Sequence, residues 1–162
     1  MRAELGFKSL LLSKPYCAAM AVATGEYWLE LWLIPGLKQA PFPAYAGLCL
    51  VLLGEAVRKV GMLTAQASFT HMIRRERQPS HVLVTWGIYR FVRHPGYLGW
   101  AVWAVGTQVM LANPLSAVLF VAVVWRFFSD RIPYEERHLR RMFPEYEQYA
   151  LRTPTWMPFI EY

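Results

Sequence analysis

Residues 97–125, YLGWAVWAVGTQVMLANPLSAVLFVAVVW, decide the fold because they form a run of 29 residues without Asp, Glu, Lys or Arg. An Asn followed by a Pro favours a turn, so Asn113 and Pro114 divide the run into two helices. At 1.5 Å per residue each helix is about 21 to 24 Å long. The run predicts a tight hairpin of two membrane segments, at about 97–112 and 115–130, with Gly99 and Gly106 allowing close packing within it.

Two more apolar stretches precede the hairpin, at about residues 15–35 and 44–63, and each is long enough to cross a hydrocarbon core of about 30 Å. Apolar residues make up 56% of the chain and charged residues only 17%, with seven Trp and nine Tyr. Such a composition is typical of an integral membrane protein whose aromatic side chains lie near the lipid headgroups. The sequence therefore predicts an all-α integral membrane fold in a lipid bilayer: one domain over residues 1–162, a helical bundle of about four membrane segments.

Acidic residues within the first two stretches need partners at that depth. Glu26 and Glu30 are four residues apart and share a helix face, so we expect them to face the bundle interior or an interface, with ligand binding as the alternative. Glu55 lies three residues before Arg58 and four before Lys59, a spacing that lets one carboxylate neutralise a cation on the same face. We interpret that pair as structural or interfacial.

The net charge of +6 is concentrated between and after the apolar runs, which argues against a nucleic-acid partner and indicates one membrane face. The polar segment between residues 65 and 94 is strongly basic, so the positive-inside rule predicts a cytosolic loop. A short interfacial helix is expected around Phe69–Arg77. The charged tail after the hairpin is predicted on the same cytosolic face.

Histidine and cysteine provide no metal site. The four histidines lack ligand spacing on a shared helix face, and no cysteine lies near them. Cys17 and Cys49 lie in separate apolar stretches and are interpreted as small core residues. The histidines are His71, His81, His94 and His138.

Polar and cationic groups crowd both ends of the hairpin, at residues 81–97 before it and around Arg131 and Glu135 after it. Because the hairpin returns to its starting side, these two segments are predicted to form the walls of one polar cup. Taken singly, the tyrosines are explained as interfacial anchors, and Arg131 with Glu135 as a helix-face pair worth a few tenths of a kcal/mol. Their joint position at one membrane face favours a functional site.

Several motifs around this cup carry a specific resemblance. They are Gly54-Glu-Ala-Val-Arg-Lys59, His81-Val-Leu-Val-Thr85, Gly87-Ile-Tyr89, Arg93-His-Pro-Gly-Tyr97, residues 106–114 GTQVMLANP, residues 125–131 WRFFSDR, Glu135 and residues 154–160 PTWMPFI. With these residues the sequence resembles the isoprenylcysteine carboxyl methyltransferases, membrane enzymes of the endoplasmic reticulum. The resemblance covers nearly the whole chain.

The resemblance implies S-adenosylmethionine-dependent methylation of the C-terminal α-carboxylate of prenylated cysteine in CaaX-type proteins. It implies that Arg131 is the catalytic residue and binds the substrate carboxylate, with the active site facing the cytosol. The cofactor contacts it implies are His81, Val82, Leu83, Val84, Tyr89, His94, Pro95, Gly96, Tyr97 and Glu135.

Carboxylate chemistry agrees with an enzyme that needs no general base. An α-carboxyl group has a pKa of about 3.3 to 3.7 and is ionised at neutral pH, so the nucleophile arrives deprotonated. The protein must hold the carboxylate oxygen in line with the methyl group and exclude water. Arg131 is expected to orient the carboxylate through a charge-assisted contact.

Three positions depart from the family pattern. Arg74 stands where the family has Gln at a cofactor contact, and Gly96 replaces a Ser. Pro133, between Arg131 and Glu135, is expected to distort their helical spacing. Eukaryotic members also carry further N-terminal spans, so the sequence is expected to be a fragment or a minimal form.

Three alternative functions share some of these features. A membrane methyltransferase with another lipid or small acceptor would keep the cofactor pocket without requiring Arg131. A sterol-reductase-like enzyme with a nicotinamide cofactor has a loosely similar Arg-His sequence, but the Asp130-Arg131 and Glu135 pattern argues against it. A non-catalytic membrane scaffold is the third alternative.

Overall fold

The structure, a computed structural model, describes residues 14–69, 73 and 81–160. All regular secondary structure in these residues is helical, which confirms the all-α prediction. Most of the predicted interfacial helix around Phe69–Arg77, including His71 and Arg74, lies outside the described residues. The α-helices are α1 Lys14–Leu33, α2 Pro35–Gln39, α3 Pro41–Ala65, α4 Pro95–Met110, α5 Pro114–Met142 and α6 Tyr146–Arg152, with 3₁₀ turns at Gln66–Ser68 and Gly87–Arg90.

The predicted break in the long apolar run is confirmed. Helix α4 ends at Met110, Ala112 takes a left-handed conformation with φ 52°, and α5 begins at Pro114. Proline is favoured at the first helical position because its missing N–H has no intrahelical partner there. Helix α5 then runs to Met142, past the predicted segment end at residue 130, and Pro133 does not interrupt it.

Helices α3 and α4 pack so closely that their backbones meet. A Cβ placed on Gly54 would lie 2.5 Å from the backbone N of Trp103 and 2.6 Å from the backbone O of Gly99. A Cβ on Gly106 would lie 2.8 Å from the Cβ of Leu50. The glycines of α4 therefore permit close packing against α3, and the expectation that they serve contacts within the α4–α5 hairpin is wrong.

The larger hydrophobic core lies where α1, α4, α5 and the C-terminal segment meet, with Ala19, Ala104, Phe120, Phe128 and Met157 among its buried residues. Many large apolar side chains lie on the outer surface instead. Both cysteines are free and exposed, so their interpretation as core residues is wrong.

Within residues 14–69 and 81–160, no helix combines the length and the hydropathy required to cross a membrane.

A buried lysine closes the end of the bundle where α4 turns into α5. The Nζ of Lys38 lies 2.6 Å from Glu30 Oε2 and donates to Asn113 Oδ1 at 2.7 Å. It also donates to the backbone O of Leu111 at 3.1 Å and of Ala112 at 2.9 Å. Carbonyls at a helix C-terminus lack intrahelical partners and carry partial negative charge, which the ammonium group satisfies.

Glu26 binds the unpaired backbone N–H groups at the start of α5. Its Oε1 accepts from the backbone N of Leu115 at 2.8 Å, and its Oε2 accepts from the backbone N of Ser116 at 2.7 Å. A carboxylate at a helix N-terminus satisfies unpaired N–H groups and matches the helix dipole. The expectation that Glu26 and Glu30 face the bundle interior is confirmed.

Replacing Lys38 with methionine is expected to destabilise the fold by about 3 to 5 kcal/mol, because it leaves the carboxylate of Glu30 buried without its cation. The lysine side chain is only 4% exposed. Unfolding in detergent micelles, followed by circular dichroism, measures the effect. Lys59→Met is the control, since Lys59 is 67% exposed and pairs with Glu55 at 3.0 Å. An exposed pair contributes about 0 to 1 kcal/mol, so equal destabilisation by both variants would contradict the role of Lys38.

Candidate active site

A cavity of about 170 Å³ opens at the opposite end of the bundle from Lys38, where the end of α3, the start of α4 and the middle of α5 meet. One part of its wall is aromatic and aliphatic, and another part carries charged and hydroxyl groups. The apolar part includes Tyr16, Trp100, Val123, Val124, Phe127 and Phe128, and the polar part includes Arg58, Tyr89, Arg93, His94, Tyr97, Arg131, Glu135 and Tyr149.

A smaller cavity of about 80 Å³ adjoins the first, and Leu83 and Glu135 line both. The structure brings together every residue that the sequence predicted for the site. His81 and Val82 line the smaller cavity. The main cavity is lined by Val84, Tyr89, His94, Pro95, Gly96, Tyr97 and Arg131.

Local folding explains how the loop before α4 reaches this cavity. The backbone N of Val82 donates to Ser68 Oγ at 3.2 Å, which fixes the loop to the turn after α3. Gly87 takes φ 59°, a conformation that glycine adopts without steric cost, and starts the 3₁₀ turn that carries Tyr89. Tyr149 donates its hydroxyl to the backbone O of Tyr89 at 2.7 Å. Burial and the nearby charge of Glu135 raise the pKa of Tyr89 to about 12, so its hydroxyl stays protonated.

Tyr97 connects the two charged groups of α5. Its hydroxyl donates to Glu135 Oε2 and accepts from Arg131 Nε at 2.9 Å. The guanidinium of Arg131 lies 5.4 Å from the centre of the Tyr97 ring and 5.7 Å from that of Phe127. Stacking over aromatic faces suits a planar guanidinium and fixes its orientation. Arg131 is therefore oriented at the junction between the polar and apolar parts of the cavity.

Sequence reasoning missed Glu136, which lies beside the predicted Glu135 but is fully buried, with its side chain 0% exposed. Its Oε1 lies 2.9 Å from Arg93 Nε and 2.9 Å from His94 Nε2. Burial by itself would raise the pKa of Glu136, but hydrogen bonding and charge from His94, together with Arg93, hold it below its ordinary value. The carboxylate is thus ionised at neutral pH.

A periodic signal in the sequence could have revealed Glu136. The buried residues of α5 recur every four positions: Ser116, Phe120, Val124, Phe128, Ile132 and Glu136. Such spacing places them on one face of the helix. An acid that continues an apolar face needs a buried cationic partner, and Arg93 is that partner.

Arg58 also went unrecognised as a residue of the site. Glu55 pairs with Lys59 at 3.0 Å on the surface of α3, while Arg58 lines the main cavity. The sequence predicted that Glu55 neutralises a cation, and Lys59 is the cation it contacts. Arg58 adds a third guanidinium to the wall, beside those of Arg93 and Arg131.

Comparison with known proteins shows that this chain is similar to the members of one enzyme family. The model of the isoprenylcysteine carboxyl methyltransferase family matches residues 47–141. A probable protein-S-isoprenylcysteine O-methyltransferase of Oryza sativa subsp. indica is 54% identical over 154 residues, covering 94% of this chain and 81% of the rice protein. Protein-S-isoprenylcysteine O-methyltransferase B of Arabidopsis thaliana is 48% identical, covering 97% of this chain and 80% of that protein.

More distant relatives are longer. The Homo sapiens protein-S-isoprenylcysteine O-methyltransferase is 43% identical over 98% of this chain, which spans 57% of the human protein. The solved structure of the eukaryotic intramembrane Ras methyltransferase ICMT superposes with a TM-score of 0.91 at 36% identity, covering 97% of this chain and 57% of the solved one. The resemblance first identified from the sequence motifs is confirmed. By sequence and by fold, the chain belongs to the isoprenylcysteine carboxyl methyltransferase family.

Proposed function

We propose that this chain transfers a methyl group from S-adenosylmethionine to the C-terminal α-carboxylate of a prenylated cysteine in CaaX-type proteins. The observation that carries the proposal is the two-part wall of the main cavity, with Arg131 at the junction. A prenylcysteine has the same two parts, an ionised carboxylate and an apolar hydrocarbon chain. Membership of the family supports the same reaction.

The apolar part of the wall suits the isoprenoid chain. Trp100 lies between Tyr16 and Phe128, with ring centres 5.7 Å away in each case. Phe127 and Phe128 are in edge-to-face contact at 5.2 Å. Burying a hydrocarbon chain against such a surface is favourable by about 25 cal/mol per Å². The aromatic side chains would therefore hold the prenyl group while its cysteine end projects toward Arg131.

The charged part of the wall suits the carboxylate. Arg131 and Arg58 both line it, and a guanidinium can bind a carboxylate through two parallel hydrogen bonds. Tyr97 accepts from Arg131 Nε, which limits rotation of the guanidinium. The α-carboxylate is already ionised at neutral pH, so orientation and exclusion of water are what the site must provide.

When bound, S-adenosylmethionine supplies the methyl group from a sulfonium centre. The residues present fit this cofactor. Glu135 offers negative charge to a cationic ligand, and it lines both cavities. The rings of His94 and Tyr97 stack 5.4 Å apart at 13° and both residues line the main cavity, where Leu83 and Val84 supply apolar contacts.

We place the chain in the bilayer of the endoplasmic reticulum with the cavity toward the cytosol. Exposed apolar side chains on α1, α3 and α5 support contact with lipid, as at Trp32, Leu52 and Val118. The basic loop and tail support the cytosolic orientation by the positive-inside rule. In this arrangement the prenyl chain enters from the bilayer and the polar cofactor from water.

A methyl-transfer assay tests the proposal. The chain, purified in detergent or nanodiscs, is incubated with radiolabelled S-adenosylmethionine and a farnesylated or geranylgeranylated cysteine analogue. We expect label in a base-labile methyl ester, and no label with the unprenylated analogue. Label found only in a phospholipid amine or another lipid acid would contradict the acceptor. Calorimetric binding of NADPH without binding of S-adenosylmethionine would indicate a reductase instead.

A further inference from the structure

We infer that Glu136 is a positioning residue for the cofactor part of the site, acting through His94 and Arg93. The inference rests on the proposed function and concerns how the site is held in shape. In the described part of the chain, Glu136 does not line either cavity, whereas His94 and Arg93 both line the main one. An effect of Glu136 on ligand binding must therefore pass through its neighbours.

The contacts of Glu136 fix the ring of His94. An ionised carboxylate can only accept hydrogen bonds, so the 2.9 Å contact requires that His94 Nε2 carries the proton. The second partner of the carboxylate, Arg93, keeps it ionised and in place, with Arg93 Nη2 3.4 Å from Glu136 Oε2. Glu136 thus fixes the orientation of the His94 ring, with Nε2 facing the carboxylate.

The orientation of His94 affects Tyr97, which contacts the proposed substrate and cofactor residues. The ring of His94 stacks on that of Tyr97, and the hydroxyl of Tyr97 contacts both Arg131 and Glu135. A tilt of the His94 ring would disturb its stacking with the Tyr97 ring and so shift Tyr97. Because Tyr97 joins the proposed substrate and cofactor groups, the buried carboxylate sits at the base of a chain of contacts that leads to both.

Arg93 also links Glu136 to the C-terminal segment through hydrogen bonds. Its Nη1 donates to the backbone O of Ala150 at 2.6 Å and of Thr153 at 3.0 Å. Its backbone N donates to the backbone O of Pro154 at 3.0 Å. Arg93 immediately precedes His94 and Pro95, where α4 begins. Glu136 therefore holds α5, the start of α4 and the C-terminal segment in one buried network.

The test uses the whole chain in detergent or nanodiscs, with S-adenosylhomocysteine as the calorimetric probe. For Glu136→Gln we expect the Kd of the probe and the KM of S-adenosylmethionine to rise about tenfold or more, by analogy with carboxylates that orient metal-binding histidines. The KM of the prenylcysteine analogue should rise by less than the Kd of the probe, because the ring of Phe127 also holds the guanidinium of Arg131. Glu147→Gln is the matched control on α6, because its side chain is 59% exposed where it pairs with Arg140 at 2.8 Å, and both constants should be unchanged.

A double-mutant cycle separates positioning from simple stabilisation. If Glu136 acts through His94, Glu136→Gln adds little to the Kd in a His94→Ala background, so the two effects are strongly non-additive. A lower Tm with an unchanged Kd, or additive effects on the Kd, would overturn the inference. If Glu136→Gln does not fold, Glu136→Asp keeps the charge beside Arg93 while shortening the reach to His94, and an unchanged Kd for that variant would also overturn it. Absence of probe binding by the unmodified chain would overturn the proposed function itself.

Discussion

Arg131→Ala is expected to reduce kcat/KM for methylation of a farnesylcysteine analogue by on the order of a hundredfold, while the Kd of S-adenosylhomocysteine changes little. Removing the guanidinium takes away the group proposed to orient the substrate carboxylate in a partly buried site, a loss of roughly 2 to 5 kcal/mol. Initial-rate kinetics and calorimetry measure the two quantities separately. Arg126→Ala on the same helix is the control, because Arg126 is exposed and pairs with Asp130 in a helix-face ion pair.

Glu135→Ala is the counterpart within this prediction. We expect it to weaken cofactor binding, since Glu135 lines both cavities and provides their negative charge. The two residues lie on one turn of α5 and share the hydroxyl of Tyr97, so a common loss of packing would affect both functions together. Equal loss of cofactor affinity in the two variants would contradict the division between a substrate residue and a cofactor residue.

Gly54→Ala is expected to destabilise the protein by about 3 kcal/mol or more, although it adds one methyl group. The new Cβ would lie 2.5 Å from the backbone N of Trp103 and 2.6 Å from the backbone O of Gly99. Backbone atoms cannot move aside as the end of a flexible side chain does, so α3 and α4 must separate along their contact. Thermal unfolding in micelles and the yield of monodisperse protein measure the effect.

The control for this variant is Gly25→Ala in α1. A Cβ at Gly25 meets nothing within 4 Å, and alanine is favoured over glycine inside a helix by about 0.5 to 1 kcal/mol. The same substitution should therefore leave stability unchanged or raise it. Similar unfolding temperatures for the two variants would contradict the close approach of α3 and α4.

The sequence predicted local features of the fold better than contacts between helices. The turn at Asn113 and Pro114 was found because proline acts on its own backbone and on the residue before it. The partner of Gly99 was not found, because a small residue indicates close packing without naming the neighbour. The cysteines were misplaced for a related reason, since an apolar stretch in this composition does not reveal which face points outward.

In the candidate site, too, the sequence predicted most residues but not those whose role depends on contacts between helices. The loop that holds His81 and Tyr89 and the α5 groups Arg131 and Glu135 line adjoining cavities, as the hairpin geometry predicted. Glu136 was missed because it lies one position from Glu135, about 100° around the helix, and only the four-residue spacing of the buried face distinguishes it. Arg58 was missed because Glu55, three residues before it on the same helix face, already explained its charge as part of an ion pair.

The hydrogen bonds of Arg93 to Ala150 and Thr153 bear on how the protein is made. A chain emerges from the ribosome in order, and earlier parts begin to fold before later parts exist. Helices α1 to α5 are complete by Met142, yet the carbonyl groups that Arg93 requires are synthesised afterwards. Until they emerge, Arg93 and Glu136 face each other with part of their network missing. The buried network beside the cavity therefore cannot be completed until Ala150 and Thr153 have been synthesised.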